Sequence, residues 1–161
     1  MLGYVYGHDE VVAQFVAQLI PHCRRGWKKE ETRAIGVINE QGHLIAGLVY
    51  FNHDPEAGTI EIAGASIDPH WLTRGTIARM YQYPFLQCGC QMIYQKTPAE
   101  NMRLLRQLAV YGYKFVKQER MFGRDRDGVI CSLTYEAWAG NRFNKRFGHH
   151  LVDAELEEEA A

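Results

Sequence analysis

Thr59-Ile60-Glu61-Ile62-Ala63-Gly64-Ala65-Ser66-Ile67-Asp68-Pro69 is the stretch on which the fold turns. Apolar Ile60 and Ile62 flank a single charge at Glu61, the alternation of a strand with two different faces, and Asp68-Pro69 closes it. Residues Leu72 to Tyr83 follow as a helix whose regular course is expected to end near Pro84. Gln91 to Gln95 then reads as a short strand. Strand, helix, strand over this length is a crossover unit, so strands 59–67 and 91–95 are expected to run parallel.

Working outward toward the N-terminus, Arg33–Asn39 and His43–Asn52 are β-rich, with a hairpin-sized turn at Glu40-Gln41-Gly42. Asp54-Pro55-Glu56-Ala57-Gly58 is a second turn, which makes strands two to four an antiparallel meander. Before them, Leu2–Tyr6 forms an opening strand. Val11, Val12, Phe15, Val16, Leu19 and Ile20 then recur at helical spacing, with Asp9 as the expected cap and Pro21 as the stop. The connector Arg24–Glu31 carries one exposed-looking aromatic, Trp27, and reads either as a solvated loop or as a wall of a substrate cleft.

Toward the C-terminus, Thr97-Pro98-Ala99-Glu100 has the form of a capping box with proline at the first helical position. Leu104, Leu105 and Leu108 supply that helix's buried stripe, and Gly112 its stop. Tyr113–Phe122 and Val129–Tyr135 make a final hairpin, followed by a short helical stretch. The element order is β-α-β-β-β-α-β-α-β-β, an α/β (α+β) fold with a mixed central sheet and helices on both faces. One domain is expected over residues 1–148, with an acidic tail over 149–161.

Composition narrows the function classes. The 161 residues are 47% hydrophobic and 23% charged with a formal net charge of -1, which gives no global pull toward nucleic acid or an anionic membrane. No apolar run approaches the ~20 residues of a spanning helix, and the N-terminus lacks a signal-peptide pattern, so a cytoplasmic protein is expected. The four cysteines, at 23, 88, 90 and 131, form no Cys-x-x-Cys pair and read as reduced thiols rather than a metal site. The adjacent His149-His150 point different ways on a helix and read as surface residues.

The element order, with three local stretches, resembles the GNAT (GCN5-related N-acetyltransferase) superfamily over roughly Leu2 to Trp138. Ile60–Pro69 looks like the family's fourth strand and its exit. Arg74-Gly75 stands where the family's phosphate loop holds its central glycine. Asn101, followed eleven and twelve residues later by Gly112-Tyr113, is similar to the family's "N…G-F" signature, and Arg106 and Leu108 bring it nearest to the RimJ/RimL-like branch. Two departures are plain. The loop Q/R-x-x-G-x-G/A reads Leu72-Thr73-Arg74-Gly75-Thr76-Ile77, keeping only the middle glycine. The general-acid tyrosine found in many members seven residues after the asparagine is Leu108 here. Tyr111 is expected to pack in the core instead.

The resemblance implies acetyl-CoA as cosubstrate, no metal, and direct transfer of the acetyl group to an amine acceptor: a protein N-terminus, a lysine or a small amine. It implies that strands 59–67 and 91–95 splay apart and that strand 59–67, ending at Ile67, binds the thioester. Arg74, Gly75 and Thr76 at the helix N-terminus would hold the pyrophosphate, where free N–H groups and the helix dipole favour an anion. Arg74 and Arg79 read either as phosphate contacts or as solvated charges. Asn101 would contact the pantetheine arm. Glu61 matches the strand carboxylate that serves as base in some members, since an amine must lose a proton to attack a thioester; its other reading is an ordinary strand residue. His53 is an alternative base. Dimers are common in the superfamily, so a homodimer is an expectation. The degenerate loop and the missing tyrosine leave a rival: a non-enzymatic CoA-binding or protein-interaction module, similar to short acetyltransferase-like proteins of phages and prophages.

Overall fold

The computed structural model describes residues 1–142. The expected acidic tail, the boundary at 148 and His149-His150 lie outside them. The chain divides into two compact units, Met1–Thr76 and a second that begins at Ile77.

The first unit holds β1 (Gly3–Val5), α1 (Asp9–Leu19), β2 (Arg33–Ile38), β3 (Leu44–Asp54) and β4 (Thr59–Ser66). Each strand pairs antiparallel with the next in sequence. Gly42 (φ 80°) makes the β2–β3 turn and Gly58 (φ 70°) the β3–β4 turn, both in the left-handed region that glycine enters without strain. Helix α1 lies on one face of this meander, burying Val12 and Val16 against Ala34 and Val49. The close approach has a cause: Gly36 and Gly47 are direct cross-strand partners. A Cβ on Gly47 would come within 2.7 Å of both Val12 and Val16. Asp9 does not cap the helix, as its position suggested. His8 is the N-cap, and Asp9 Oδ1 instead accepts the Ala34 backbone N–H at 2.7 Å, tying the first turn to β2. Pro21 does end α1, opening a 3-10 turn over Pro21–Cys23. The connector is ordered by Trp27, which is half-buried rather than exposed and packs on Phe51 with ring centroids 5.2 Å apart.

The regular course of helix α2 (Arg74–Gln82) ends just before Pro84 as expected, and the chain passes into a π-helical turn, Tyr83–Gln87, that buries Pro84 and Phe85. The second unit continues with β5 (Met92–Pro98), α3 (Met102–Tyr111), β6 (Lys114–Gln118), β7 (Gly128–Thr134) and α4 (Tyr135–Gly140). Strand β7 pairs antiparallel with both β5 and β6, so the last strand is central and β6 is exposed along its whole length. Both β6 and the final hairpin are shorter than expected, because Phe122 and Met121 fold back over Gly128, where a Cβ would meet the Met121 sulfur at 2.5 Å. The capping box is also corrected. Thr97 and Pro98 belong to β5, opposite Val129 and Gly128, and α3 starts at Met102 under Asn101. Glu100 pairs with Arg126 at 2.6 Å instead of closing a helix. Gly112 (φ 98°) ends α3 as expected. Phe85, Tyr135 and Trp138 form the aromatic centre of this unit, Phe85 stacking on Trp138 at 5.0 Å. The seven strands and their flanking helices make a mixed, mostly antiparallel α/β fold. Among the described residues no helix is long and apolar enough to cross a membrane.

Candidate active site

Glu61 stands opposite Phe51 in the β3–β4 register, two pairs from Val49–Ala63 on the face that α1 covers. The Ile-Glu-Ile alternation suggests a solvent-facing carboxylate, yet Glu61 is only 6% exposed. A charge so placed needs partners in the protein. One is Asn52, whose Nδ2 donates to Glu61 Oε1 at 3.0 Å. Between the pairs Phe51–Glu61 and Asp54–Thr59, Asn52 and His53 together stand opposite Ile60, which is a β-bulge. Asn52 has φ 51°, in the left-handed region that asparagine tolerates better than most residues. Glu61 also lies near the Cys23 thiol: burial first, and then the Glu61 charge, push Cys23 from 9.0 up to about 11. His53, the alternative base, is exposed in the same bulge.

The head of α2 is closed by hydroxyls. Thr76 is fully buried; its Oγ1 donates to the Trp71 carbonyl at 2.7 Å and lies 2.9 Å from Tyr4 Oη. The Thr76 amide donates to Thr73 Oγ1 at 3.2 Å. The amide and hydroxyl of Thr76 therefore have partners within the protein. Arg74 is exposed and Gly75 half-buried at the helix start. No acidic residue sits in that first turn. Just upstream, the end of β4 is pinned: Ser66 Oγ donates to the Asp68 carbonyl at 2.7 Å and accepts the Asp68 amide at 2.9 Å. The Ile67 amide is bonded to the Ile45 carbonyl at 2.9 Å, and its side chain is left 63% exposed.

Asn101 is the N-cap of α3, its Oδ1 accepting the Leu104 amide at 3.4 Å. Leu108 is buried in the helix stripe. Tyr111 is buried as expected, edge-on to Tyr81, and burial raises its hydroxyl pKa despite a hydrogen bond from Gln107. Of the thiols, Cys23 and Cys88 are half-buried, and Cys90 and Cys131 buried, all free. Sequence reasoning passed over Asn52, Tyr4 and Thr73. For Tyr4 and Thr73 no local signal exists, since their contact joins residues 69 apart. For Asn52 the only hint is an asparagine just before an Asp-Pro turn.

The sequence matches no protein-family model and no curated protein. Solved structures are more informative. The dodecameric spermidine N-acetyltransferase from Vibrio cholerae, in an intermediate state, superposes with a TM-score of 0.65 at 14% identity, over 85% of this chain and 95% of that one. Spermidine/spermine N-acetyltransferase SpeG from the same organism, in complex with manganese ions, gives 0.64 at 15% identity over 88% and 96%. A SpeG chimera of the Vibrio cholerae enzyme and hSSAT gives 0.61 at 18% over 70% and 74%. At these identities the likeness is one of architecture: the chain shares the fold of these acetyltransferases.

Proposed function

We propose that this chain is an N-acetyltransferase that moves an acetyl group from acetyl-CoA to an amine by direct attack within a ternary complex. The observation that carries the reading is Glu61, a carboxylate enclosed on β4 of this fold with one oxygen held by a neighbouring amide. The protein's polar groups suit the cosubstrate at the head of α2, where Arg74 and the turn beginning at Gly75 bring positive charge and helix dipole, with no acidic residue in that first turn. Thr76, with amide and hydroxyl already bonded, serves by holding that turn. The exposed Ile67 side chain offers apolar surface at the end of β4, and Asn101 an amide group toward the pantetheine arm.

Acetyl-CoA supplies an activated thioester, whose carbonyl carbon bonds to the amine nitrogen as the sulfur leaves as thiolate. Glu61 takes the proton that the amine loses, directly or through one water. A backbone N–H of β4 polarises the carbonyl. The thiolate is a good leaving group near neutral pH and takes its proton from water, so Leu108 in place of a tyrosine is compatible with turnover. Acceptors of this chemistry include protein N-termini, lysine and small amines. The fold neighbours named for spermidine make a polyamine the first to try, and the dodecameric neighbour supports an oligomer, a homodimer at least.

A second reading, a CoA-binding or protein-interaction module without turnover, is favoured by one observation: the altered phosphate loop has lost the Thr76 amide and hydroxyl to internal partners. CoA release from acetyl-CoA, measured with spermidine, a lysine peptide and a free N-terminal peptide, separates the two. Glu61→Gln keeps the size and removes the base, so turnover should fall ~10²-fold while acetyl-CoA still stabilises the protein. The deficit should shrink as pH rises, because more acceptor is then already deprotonated. Stabilisation by acetyl-CoA with no release for any acceptor would favour the second reading.

A further inference from the structure

We infer that Asn52 is the positioning residue for Glu61, aimed at it by the β-bulge of β3; the inference rests on the reading of Glu61 as base. The bulge, the backbone conformation that belongs to it and a hydrogen bond meet at this one side chain. The bulge places two residues of β3 opposite Ile60, which breaks the alternation and turns Asn52 out of its regular direction. Its backbone sits at φ 51°, a conformation that costs most residues free energy and persists where the surroundings fix it. Its Nδ2 then donates to Glu61 Oε1 at 3.0 Å, from the adjacent strand.

The chemistry of the pair follows from its parts. Glu61 is buried, and its charge reaches the Cys23 thiol, adding to the rise that burial gives that group. An amide N–H is neutral, so it fixes one carboxylate oxygen without neutralising the charge that a base needs. With Oε1 held, rotation of the carboxylate is restricted, which fixes the geometry from which it takes a proton. A lysine or arginine at this place would form an ion pair and weaken the base; an alanine would leave the carboxylate to rotate and would strain the left-handed backbone.

Asn52→Gly is the discriminating variant, because glycine keeps the left-handed backbone and removes only the amide. With spermidine and acetyl-CoA, kcat should fall about tenfold while KM for acetyl-CoA stays near wild type, and the melting temperature should drop by a few degrees because the buried carboxylate loses one partner. In an Glu61→Gln background the same change should cost nothing further, since the partner is already altered. A readout independent of turnover is the Asn52 side-chain amide resonance pair, which should move in Glu61→Gln and stay put in a distant surface variant. If Glu61→Gln is slow but Asn52→Gly turns over like wild type, or the Asn52 amide signals ignore Glu61→Gln, this inference is overturned and the base assignment stands. If Glu61→Gln itself is fully active, the base reading falls and takes this one with it.

Discussion

The heads of α2 and α3 are both places where the sequence promises contact with a cosubstrate, and they are built in opposite ways. Helix α2 begins in a turn closed by long-range contacts: Tyr4, from β1, meets Thr73 and Thr76, and Thr76 reaches back to Trp71. Helix α3 begins under one exposed side chain, Asn101, bonded only to its own first turn. The first head is fixed by tertiary structure and the second by local structure. A fixed head can be preorganised for a charged group; a locally capped one can exchange its cap for a ligand at small cost. Stability and ligand binding should therefore separate differently at the two ends.

Gly75→Asp is the strongest way to break the contrast. A carboxylate at the α2 head repels the pyrophosphate while favouring the bare helix dipole. Acetyl-CoA at ~100 times its Kd should stabilise the wild type by about 2.7 kcal/mol and this variant not at all, read as a thermal shift. A shift equal to wild type would remove the anion site from α2. Thr76→Val comes next. It strips the buried hydroxyl from the Trp71 carbonyl and Tyr4, and should lower unfolding free energy by about 1–3 kcal/mol in urea titrations. Asn101→Ala should cost less, about 0.5–1 kcal/mol, because the cap bond is exposed and long at 3.4 Å. Asn101→Asp should restore that stability and still bind acetyl-CoA more weakly, having lost the amide donor. If instead it binds like wild type, Asn101 is a cap and nothing more.

The smallest effect concerns the thiols. Burial holds Cys23, Cys90 and Cys131 at about 11 against 9.0, with Glu61 adding to Cys23 and Cys88 to Cys90. Between those values the unfolded chain has lost protons that the native state keeps, so stability should fall as pH climbs from 9 toward 11 and be unaffected below. Removing the Glu61 charge lowers only the Cys23 value. Glu61→Gln should then speed alkylation of Cys23 at mildly alkaline pH with no change at Cys90 or Cys131, which peptide mapping would resolve.

What the sequence made legible was set by period. The meander of β2 to β4, the α1 stripe and the αL stop at Gly112 follow from alternation, helical spacing and glycine, all of them local. Where it misled, a local motif met a non-local partner. Thr97-Pro98 looks like a helix start because nothing in those residues reveals Val129 and Gly128 lying alongside. Asp9 looks like a cap until the Ala34 amide arrives from β2. Glu61 was found, but its enclosure was not, since Ile-Glu-Ile reads the same whether or not a helix covers the glutamate's face. Asn52 was invisible for the same reason: its backbone conformation belongs to a mismatch in strand length, and only the paired register exposes that.

The strand arrangement also fixes an order of events during synthesis. In the first unit every strand pairs with the one made just before it, so the meander can assemble as it leaves the ribosome. In the second unit β7 is the shared partner of β5 and β6. Within that unit β5 must therefore wait until residues 99–134 have been added, an interval on the order of seconds. A stall within that interval would leave β5 and β6 emerged with no partner in their own unit, a window in which a chaperone or a neighbouring nascent chain could claim their edges.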